Sequence, residues 1–280
     1  MKPAPFAYVK ARSLAHAIDL LAQEDARLLA GGQSLIATLN MRLSHPALLV
    51  DINGIEGLGG VTLKDGRLEI GALTRHAQAE RSAEVARHAP LIALAMPHIG
   101  HPAIRNRGTI GGSLAFADPA AELPACFLAL SGEADITGPQ GPRTVKADDF
   151  FRDLFETALT PRDVLTAIRV PAANADTRVG FAEFARRHGD YAMVGLAACA
   201  RADGARLGDV RLAYFGVGST PLRVPHAEAE LARGDIEAAV AALRNDLDPP
   251  DDIQASGAVK RHLAGVLLRR VAKQLMEARS

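Results

Sequence analysis

The sequence predicts an α+β chain. A β-α-β unit and a stretch of short strands and helices precede a C-terminal domain in which a three-stranded antiparallel sheet is covered by helices. Three observations carry this expectation. A short β-α-β pattern with a glycine-rich strand-to-helix turn opens the chain. From Val61 the pattern changes to short strands paired around turns such as Lys64-Asp65-Gly66-Arg67. Beyond the small, polar, aperiodic stretch 171–177, three strand-like runs are followed by helical periodicity alone. The 280 residues allow two domains or one large one. A hydrophobic share of 48% supplies a sizeable core.

Each element has a local reason. Ser13 can cap a helix whose apolar residues Leu14, Ala17, Ile18 and Leu21 recur at i, i+3, i+4 and i+7. Residues 27–30 read as a strand, 34–43 as a helix and 48–52 as a second strand. Residues 61–63 and 68–70 read as a hairpin, and Thr74 as the cap of a helix through Ala79. Residues 91–96 form an apolar helical piece stopped by Pro97. A helix over 120–130 follows Pro119. Strands over 134–137 and 144–146 flank Gly138-Pro139-Gln140-Gly141-Pro142, and a strand over 164–170 ends at Pro171. A domain boundary is placed at 171–177. Strands over 180–187, 192–201 and 207–216 follow, with Asp203-Gly204 as a turn. Helices are expected over 227–232, 236–243 and 256–278, the last with Val259, Leu263, Val266, Leu267 and Val271 on one stripe and its Lys and Arg residues on solvated faces.

Two glycine loops carry the chemistry. The first, Ala30-Gly31-Gly32-Gln33-Ser34-Leu35, joins an apolar strand to a helix, where a helix N-terminus can hold phosphate. The second is Thr109-Ile110-Gly111-Gly112-Ser113, with Arg105 and Arg107 just before it. Paired glycines let backbone approach a ligand closely, and successive N–H groups can form an anion site. Hydroxyls from Thr109 and Ser113 add donors. Neither loop is a Walker A loop or a G-x-G-x-x-G turn. Either alone is an ordinary turn; two together fit the two phosphates of a dinucleotide.

These two loops resemble the FAD-pyrophosphate loops of the medium, flavin-binding subunit of molybdenum hydroxylases. That family includes the medium subunit of carbon monoxide dehydrogenase and the FAD segment of xanthine dehydrogenase. Gly71-Ala72-Leu73-Thr74, Asp118-Pro119-Ala120-Ala121-Glu122-Leu123-Pro124 and Arg186-Arg187-His188-Gly189-Asp190-Tyr191-Ala192 also look like family signatures, in the expected order. The resemblance covers almost the whole chain. It departs at Gln33, where the family often has His, and at Val259, where an aromatic often stands.

The resemblance implies a PCMH-type FAD-binding domain over 1–175, with subdomains of about 1–55 and 56–175, then an α+β domain over 176–280. It implies FAD held by Ala30, Gly31, Gly32, Gln33, Ser34, Leu35, Arg105, Thr109, Ile110, Gly111, Gly112, Ser113, Asp118, Glu122 and Tyr191. Glu122 reads either as an acid near the FAD ribose or as a charge favoured at a helix start. Tyr191 reads either as a contact to the flavin ring or as a strand tyrosine packed between domains. A small subunit with 2Fe–2S clusters and a large subunit with a molybdenum cofactor are the implied partners, in a dimer of heterotrimers. The flavin would pass electrons to NAD, oxygen or a quinone.

Other features bound the reading. No nucleophilic triad, H-E-x-x-H or G-x-S-x-G is present, which fits a chain whose cofactor does the chemistry. The 32 basic and 32 acidic residues balance, which argues against nucleic acid or an anionic membrane as partner. No signal-peptide core or membrane-length apolar run is visible, so a cytoplasmic location is expected. Cys126 and Cys199 have apolar neighbours and read as inert buried thiols, too few for an iron–sulfur cluster. His98 and His101, beside Gly100 and two prolines, read as loop residues rather than a metal pair. Two competing classes stand beside the subunit reading: a stand-alone FAD oxidoreductase of related fold, and an assembly protein with an empty flavin site.

Overall fold

The computed structural model describes residues 2–204 and 206–277. The N-terminal part contains β1 (Ala7–Lys10), α1 (Leu14–Leu20), β2 (Ala26–Leu29), α2 (Leu35–Asn40) and β3 (Leu48–Asp51). Its three strands are parallel in the order β1-β3-β2. Ser13 caps α1 as expected, accepting from His16 N at 3.1 Å. The expected β-α-β unit is β2-α2-β3. Strand β1 has no counterpart in the expectations: four residues, mostly exposed, leave little periodicity to read.

The second part is built on a five-stranded antiparallel sheet. The hairpin β4 (Val61–Lys64) and β5 (Arg67–Gly71) turns through Asp65 and Gly66, both at positive φ, which matches the twist of the flanking strands. Five short helices follow: α3 (His76–Glu80), α4 (Ala83–His88), α5 (Pro90–Ala95), α6 (Pro102–Arg105) and α7 (Ile110–Phe116). Thr74 does not cap α3. Its hydroxyl instead exchanges hydrogen bonds with the backbone of Gly60, at 3.0 and 2.9 Å. After α8 (Glu122–Ala129), the strands β6 (Glu133–Gly138) and β7 (Gly141–Lys146), the small hairpin β8 (Phe151–Asp153) and β9 (Glu156–Thr157), and β10 (Val164–Pro171) complete this part. The sheet order is β4-β5-β10-β6-β7.

The third part holds β11 (Thr177–Ala185), β12 (Ala192–Asp203) and β13 (Arg206–Phe215), the three antiparallel strands expected, and a two-residue edge strand, β14 (Leu222–Arg223). Helices α9 (Pro225–Ala232), α10 (Ile236–Asp246) and α11 (Gly257–Met276) cover it. The expected end of the last helix, Ala278, lies outside the described residues. The stripe of α11 is rotated from the expected one. Val259 is 48% exposed, whereas Lys260, Ala264, Leu267, Leu268, Val271, Ala272 and Leu275 are buried. Lys260 is therefore not a solvated charge: its Nζ donates to Gly216 O at 3.0 Å and to Asp252 at 2.6 Å. A lysine at a core position was invisible to a pattern that scores it as polar.

Helix α8 is the hub. All eight of its residues are buried, because α5 and α7 pack on one side and β12 and β13 on the other. One apolar cluster joins Phe127, Leu128 and Phe150 to Phe181, Ala197 and Phe215, so the core runs past residue 175 into the third part. No helix among the described residues is long and apolar enough to cross a membrane.

Candidate cofactor-binding site

The first glycine loop lies at the carboxyl end of the parallel sheet, the end where open sheets of this kind hold ligands. Gly32, at φ +72, turns the chain out of β2. Among the described residues, none of the five successive N–H groups of Gly31, Gly32, Gln33, Ser34 and Leu35 donates to a protein acceptor; pairing resumes at Ile36 N, which reaches Gly32 O at 3.0 Å. The Gln33 amide folds back onto Gly31 O at 3.2 Å, which leaves the loop's N–H groups open.

The loop borders a cavity of about 420 Å³. Ala30, Gly31, Gly32 and Gln33 line it with Tyr8, Ile36, Asp51, Asn53 and Arg107. The Tyr8 hydroxyl donates to Asp51, and Asn53 donates to the same carboxylate from its backbone N at 2.8 Å and its amide at 2.7 Å. Burial works against ionisation of Asp51, but these hydrogen bonds hold its pKa below the usual range. Arg75 ties the far wall together by donating to Asn53 and to the Arg107 carbonyl.

The second loop differs from the expectation. Its glycines lie in the first turn of α7, and its N–H groups are already taken. Ile110 N donates to Thr74 O at 3.0 Å, Gly111 N to Ala72 O at 2.8 Å, Ser113 N to Thr109 O at 3.1 Å, and Gly112 N to the Thr109 hydroxyl at 3.1 Å. Thr109 is thus the N-cap of α7, its hydroxyl oxygen accepting from Gly112 N. The Ser113 hydroxyl has no protein partner among the described residues. The glycines are needed for packing: a Cβ on Gly111 would lie 2.4 Å from Ala72 Cβ, and one on Gly31 would lie 2.3 Å from Arg107 O. The two loops therefore meet backbone to backbone.

Arg105 is a second correction. It is buried, and its guanidinium grips Glu80 through two bonds of 2.9 and 3.0 Å and donates to the carbonyls of Ile99 and Gly100. It is committed to the fold, and the arginine on the cavity wall is Arg107. The sequence offered both; only their partners distinguish them. Tyr8, Asp51, Asn53 and Arg75 were not foreseen. The one signal for them was Asp51 and Asn53 following the apolar run 48–50, at a strand end beside the glycine loop.

Helix α7 leads from this cavity to a second group of side chains. At about 1.5 Å per residue its seven residues cover about 10 Å. Ala117 ends it at φ +53, and Asp118 accepts from Ala120 N at 2.9 Å. Glu122 is 7% exposed; burial, with Glu183 and Asp118 nearby, raises its pKa to about 8. Burial and the two acids Asp118 and Glu122 likewise raise the Tyr191 phenol, although its side chain keeps one exposed flank. The structure thus gathers Asp118, Glu122 and Tyr191 at one end and residues 30–35 at the other, with residues 109–113 between. Cys126 is buried, and burial holds its thiol well above the usual value; Cys199, expected to be buried as well, is only half-buried, though desolvation raises it to about 11. No metal-binding cluster of His, Cys, Asp and Glu occurs among the described residues.

The residues fit an anionic dinucleotide: open amides and Arg107 for its phosphates, and Tyr8 and Ile36 for a flat apolar part. Comparison with known proteins agrees. The family described as FAD binding domain in molybdopterin dehydrogenase matches residues 4–173, and the CO dehydrogenase flavoprotein C-terminal domain matches residues 180–275. The chain is 40% identical to the 6-hydroxypseudooxynicotine dehydrogenase complex subunit alpha of Paenarthrobacter nicotinovorans, over 100% of this chain and 97% of that one. It is 34% identical to the carbon monoxide dehydrogenase medium chain of Hydrogenophaga pseudoflava, over 96% of each. Among solved structures, quinoline 2-oxidoreductase from Pseudomonas putida 86 superposes with a TM-score of 0.93 at 33% identity, covering 99% of this chain and 98% of that one. The match of the C-terminal part to a CO dehydrogenase flavoprotein domain favours the subunit reading over a stand-alone oxidoreductase.

Proposed function

The chain belongs to the family of FAD-binding medium subunits of molybdenum hydroxylases, and from that premise we propose that it binds one FAD non-covalently and relays electrons within a heteromeric complex. The run of open N–H groups over residues 31–35 carries the proposal. Those amides and Arg107 hold the pyrophosphate; Ser113 contributes its hydroxyl; residues 109–112 fix the first loop in place. Asp118, Glu122 and Tyr191 flank the ring. FAD, when bound, supplies the two-electron chemistry. The chain's own residues bind and orient it, and Glu122, neutral at pH 7, offers a hydrogen-bond donor rather than a charge.

The partners are a small subunit with 2Fe–2S clusters, which delivers electrons, and a large subunit with the molybdenum cofactor, where the substrate is oxidised. The assembly is a cytoplasmic dimer of such heterotrimers, and the domains divide near residue 175. Native mass spectrometry with metal and flavin analysis of material from the source organism tests this. Co-purification with iron, molybdenum and one FAD per chain is the expected result. A lone homo-oligomer with full turnover and neither metal refutes it.

A further inference from the structure

The hairpin of β11 and β12 closes at the pair Ala185 and Ala192, which leaves residues 186–191 outside its ladder. Connections of this kind run over the surface and are ordinarily mobile. This one is seated on both sides of Tyr191. On one side, Gly189 at φ +85 lies against residue 100, so that a Cβ on it would stand 2.8 Å from Gly100 O and 3.0 Å from the Gly100 carbonyl carbon. That carbonyl is itself fixed. Arg105 Nη1 donates to Gly100 O at 3.0 Å and to Ile99 O at 3.3 Å, and Glu80 grips the same guanidinium at 2.9 and 3.0 Å. His188 adds an edge-on contact to His98, 5.5 Å between ring centroids. On the other side, Ala192 is buried, and a Cβ on Gly216 would stand 3.0 Å from Ala192 O and 2.7 Å from Met193 O. Gly216 N in turn reaches Pro119 O at 2.8 Å, in the turn before α8. Tyr191 stands between these two seats, yet its own surface is 56% exposed.

A side chain that keeps more than half of its surface in water gains little from burial, so packing of the phenol does not explain why the chain is pinned on either side of it. What the two seats do is remove freedom from the backbone that carries the phenol. Residue 189 must be glycine twice over, for its positive φ and for its approach to another backbone. We propose that Gly189, seated on the carbonyl that Arg105 holds, is a positioning residue that makes Tyr191 a fixed wall of the cofactor site rather than part of a lid. The proposal rests on the reading that the ring lies beside Tyr191. It gives the buried pair of Arg105 and Glu80 a task at the ring end of the site, as the support of the platform at residues 99–100. An electron acceptor then meets a phenol that does not swing away, and its access to the ring is set by shape rather than by loop opening.

The test uses two NMR readouts on the FAD-free full chain. Nitrogen-15 relaxation gives the backbone order parameter at Tyr191, expected at the rigid value of about 0.85 in the wild type. A wild-type value below about 0.6 marks a mobile loop and overturns the proposal without recourse to any variant. Fluorine-19 spectra of the chain labelled with 3-fluorotyrosine follow its three tyrosines, and the signal missing in Tyr191→Phe identifies Tyr191. In Gly189→Ala that signal should move toward its position in the unfolded chain, and the order parameter should fall below about 0.6. Gly234→Ala is the control: its φ of +91 imposes the same backbone strain, but a Cβ there meets nothing within 4 Å, and both readouts should keep their wild-type values. Unchanged readouts in Gly189→Ala overturn the proposal, as does an equal change in Gly234→Ala. Added FAD should shift the Tyr191 fluorine signal in the wild type and shift it less in Gly189→Ala. FAD that binds without moving this signal overturns the placement of the ring instead, because the FAD-free measurements still decide whether Gly189 holds the loop.

Discussion

Gly31→Ala is the substitution that most directly probes how the site is held. Gly31 does not sit at positive φ, so the conformation itself accepts a side chain. The obstacle is steric. The new methyl would stand 2.3 Å from the Arg107 carbonyl oxygen and 2.9 Å from Gly108 Cα, and both neighbours are backbone. Ordinary contact at 3.4 Å requires the two loops to part by about 1 Å. Forcing a methyl into a packed site costs about 1–3 kcal/mol, partly offset by the roughly 0.4–1 kcal/mol that Gly→Ala contributes through the unfolded chain. A net loss of about 1–2 kcal/mol should lower the melting temperature by about 2–8 °C.

The larger effect should fall on the cofactor. Parting the loops turns the open N–H groups away from Arg107 and weakens at least one charge-assisted hydrogen bond, worth about 1.5–3 kcal/mol. At about 1.4 kcal/mol per tenfold, the Kd for FAD should rise about 10–100-fold. Quenching of flavin fluorescence during titration of the FAD-free protein measures it. Gly59→Ala is the control, since a Cβ there meets nothing within 4 Å. Wild-type affinity and melting temperature in Gly31→Ala would refute the claim that backbone contact between the loops shapes the site.

The two arginines should separate cleanly. Arg107→Ala should weaken FAD binding about tenfold with little change in melting temperature, whereas Arg105→Ala should destabilise by about 3 kcal/mol by stranding Glu80, as read by denaturant unfolding. The pH dependence follows from Glu122, whose folded pKa of about 8 exceeds its reference value of 4.5. The folded state binds the proton more tightly, so this contribution is complete below pH 4.5 and declines as pH rises through about 8. The span is on the order of 3–5 kcal/mol, and Glu122→Gln should flatten the fall in a pH series of melting temperatures. Lys260→Met should loosen the link from α11 through Gly216 to Pro119 O, which Gly216 N reaches at 2.8 Å; faster hydrogen exchange at Gly216 N would reveal it.

What could be read in the sequence follows from how local each determinant is. The β2-α2-β3 unit, the hairpin at Asp65-Gly66 and the strands of the third part were legible because each is written in one contiguous pattern or turn. So was the first glycine loop, whose open amides depend only on the strand before it and the helix after it. The second loop looked equivalent, yet Thr74, Ala72 and the Thr109 hydroxyl consume its donors. That pairing depends on β5 and α3 lying alongside, which no window around Gly111 contains. Arg105 and Arg107, two residues apart, diverge for the same reason: Glu80 is 25 positions away from Arg105.

The third part of the chain shows how such distant pairings bear on the site. Nothing local to Gly180 through Ala185 suggests contact with a cofactor domain, and the strand pattern there is satisfied by β12 alone. Only the docking of β11 against the segment around His98 brings Glu183 into contact with it, at 3.1 Å. Tyr191 and the Lys260–Gly216–Pro119 link both reach the same few residues, 118–122, from beyond residue 175. A fold that needed the third part only for bulk would have no reason to converge there with the Tyr191 phenol and with Gly216, itself held by the buried Lys260 ammonium. Convergence on one turn is what a domain does when it fixes the position of that turn, and the turn from Asp118 to Glu122 is the one that bounds the far end of the proposed FAD site.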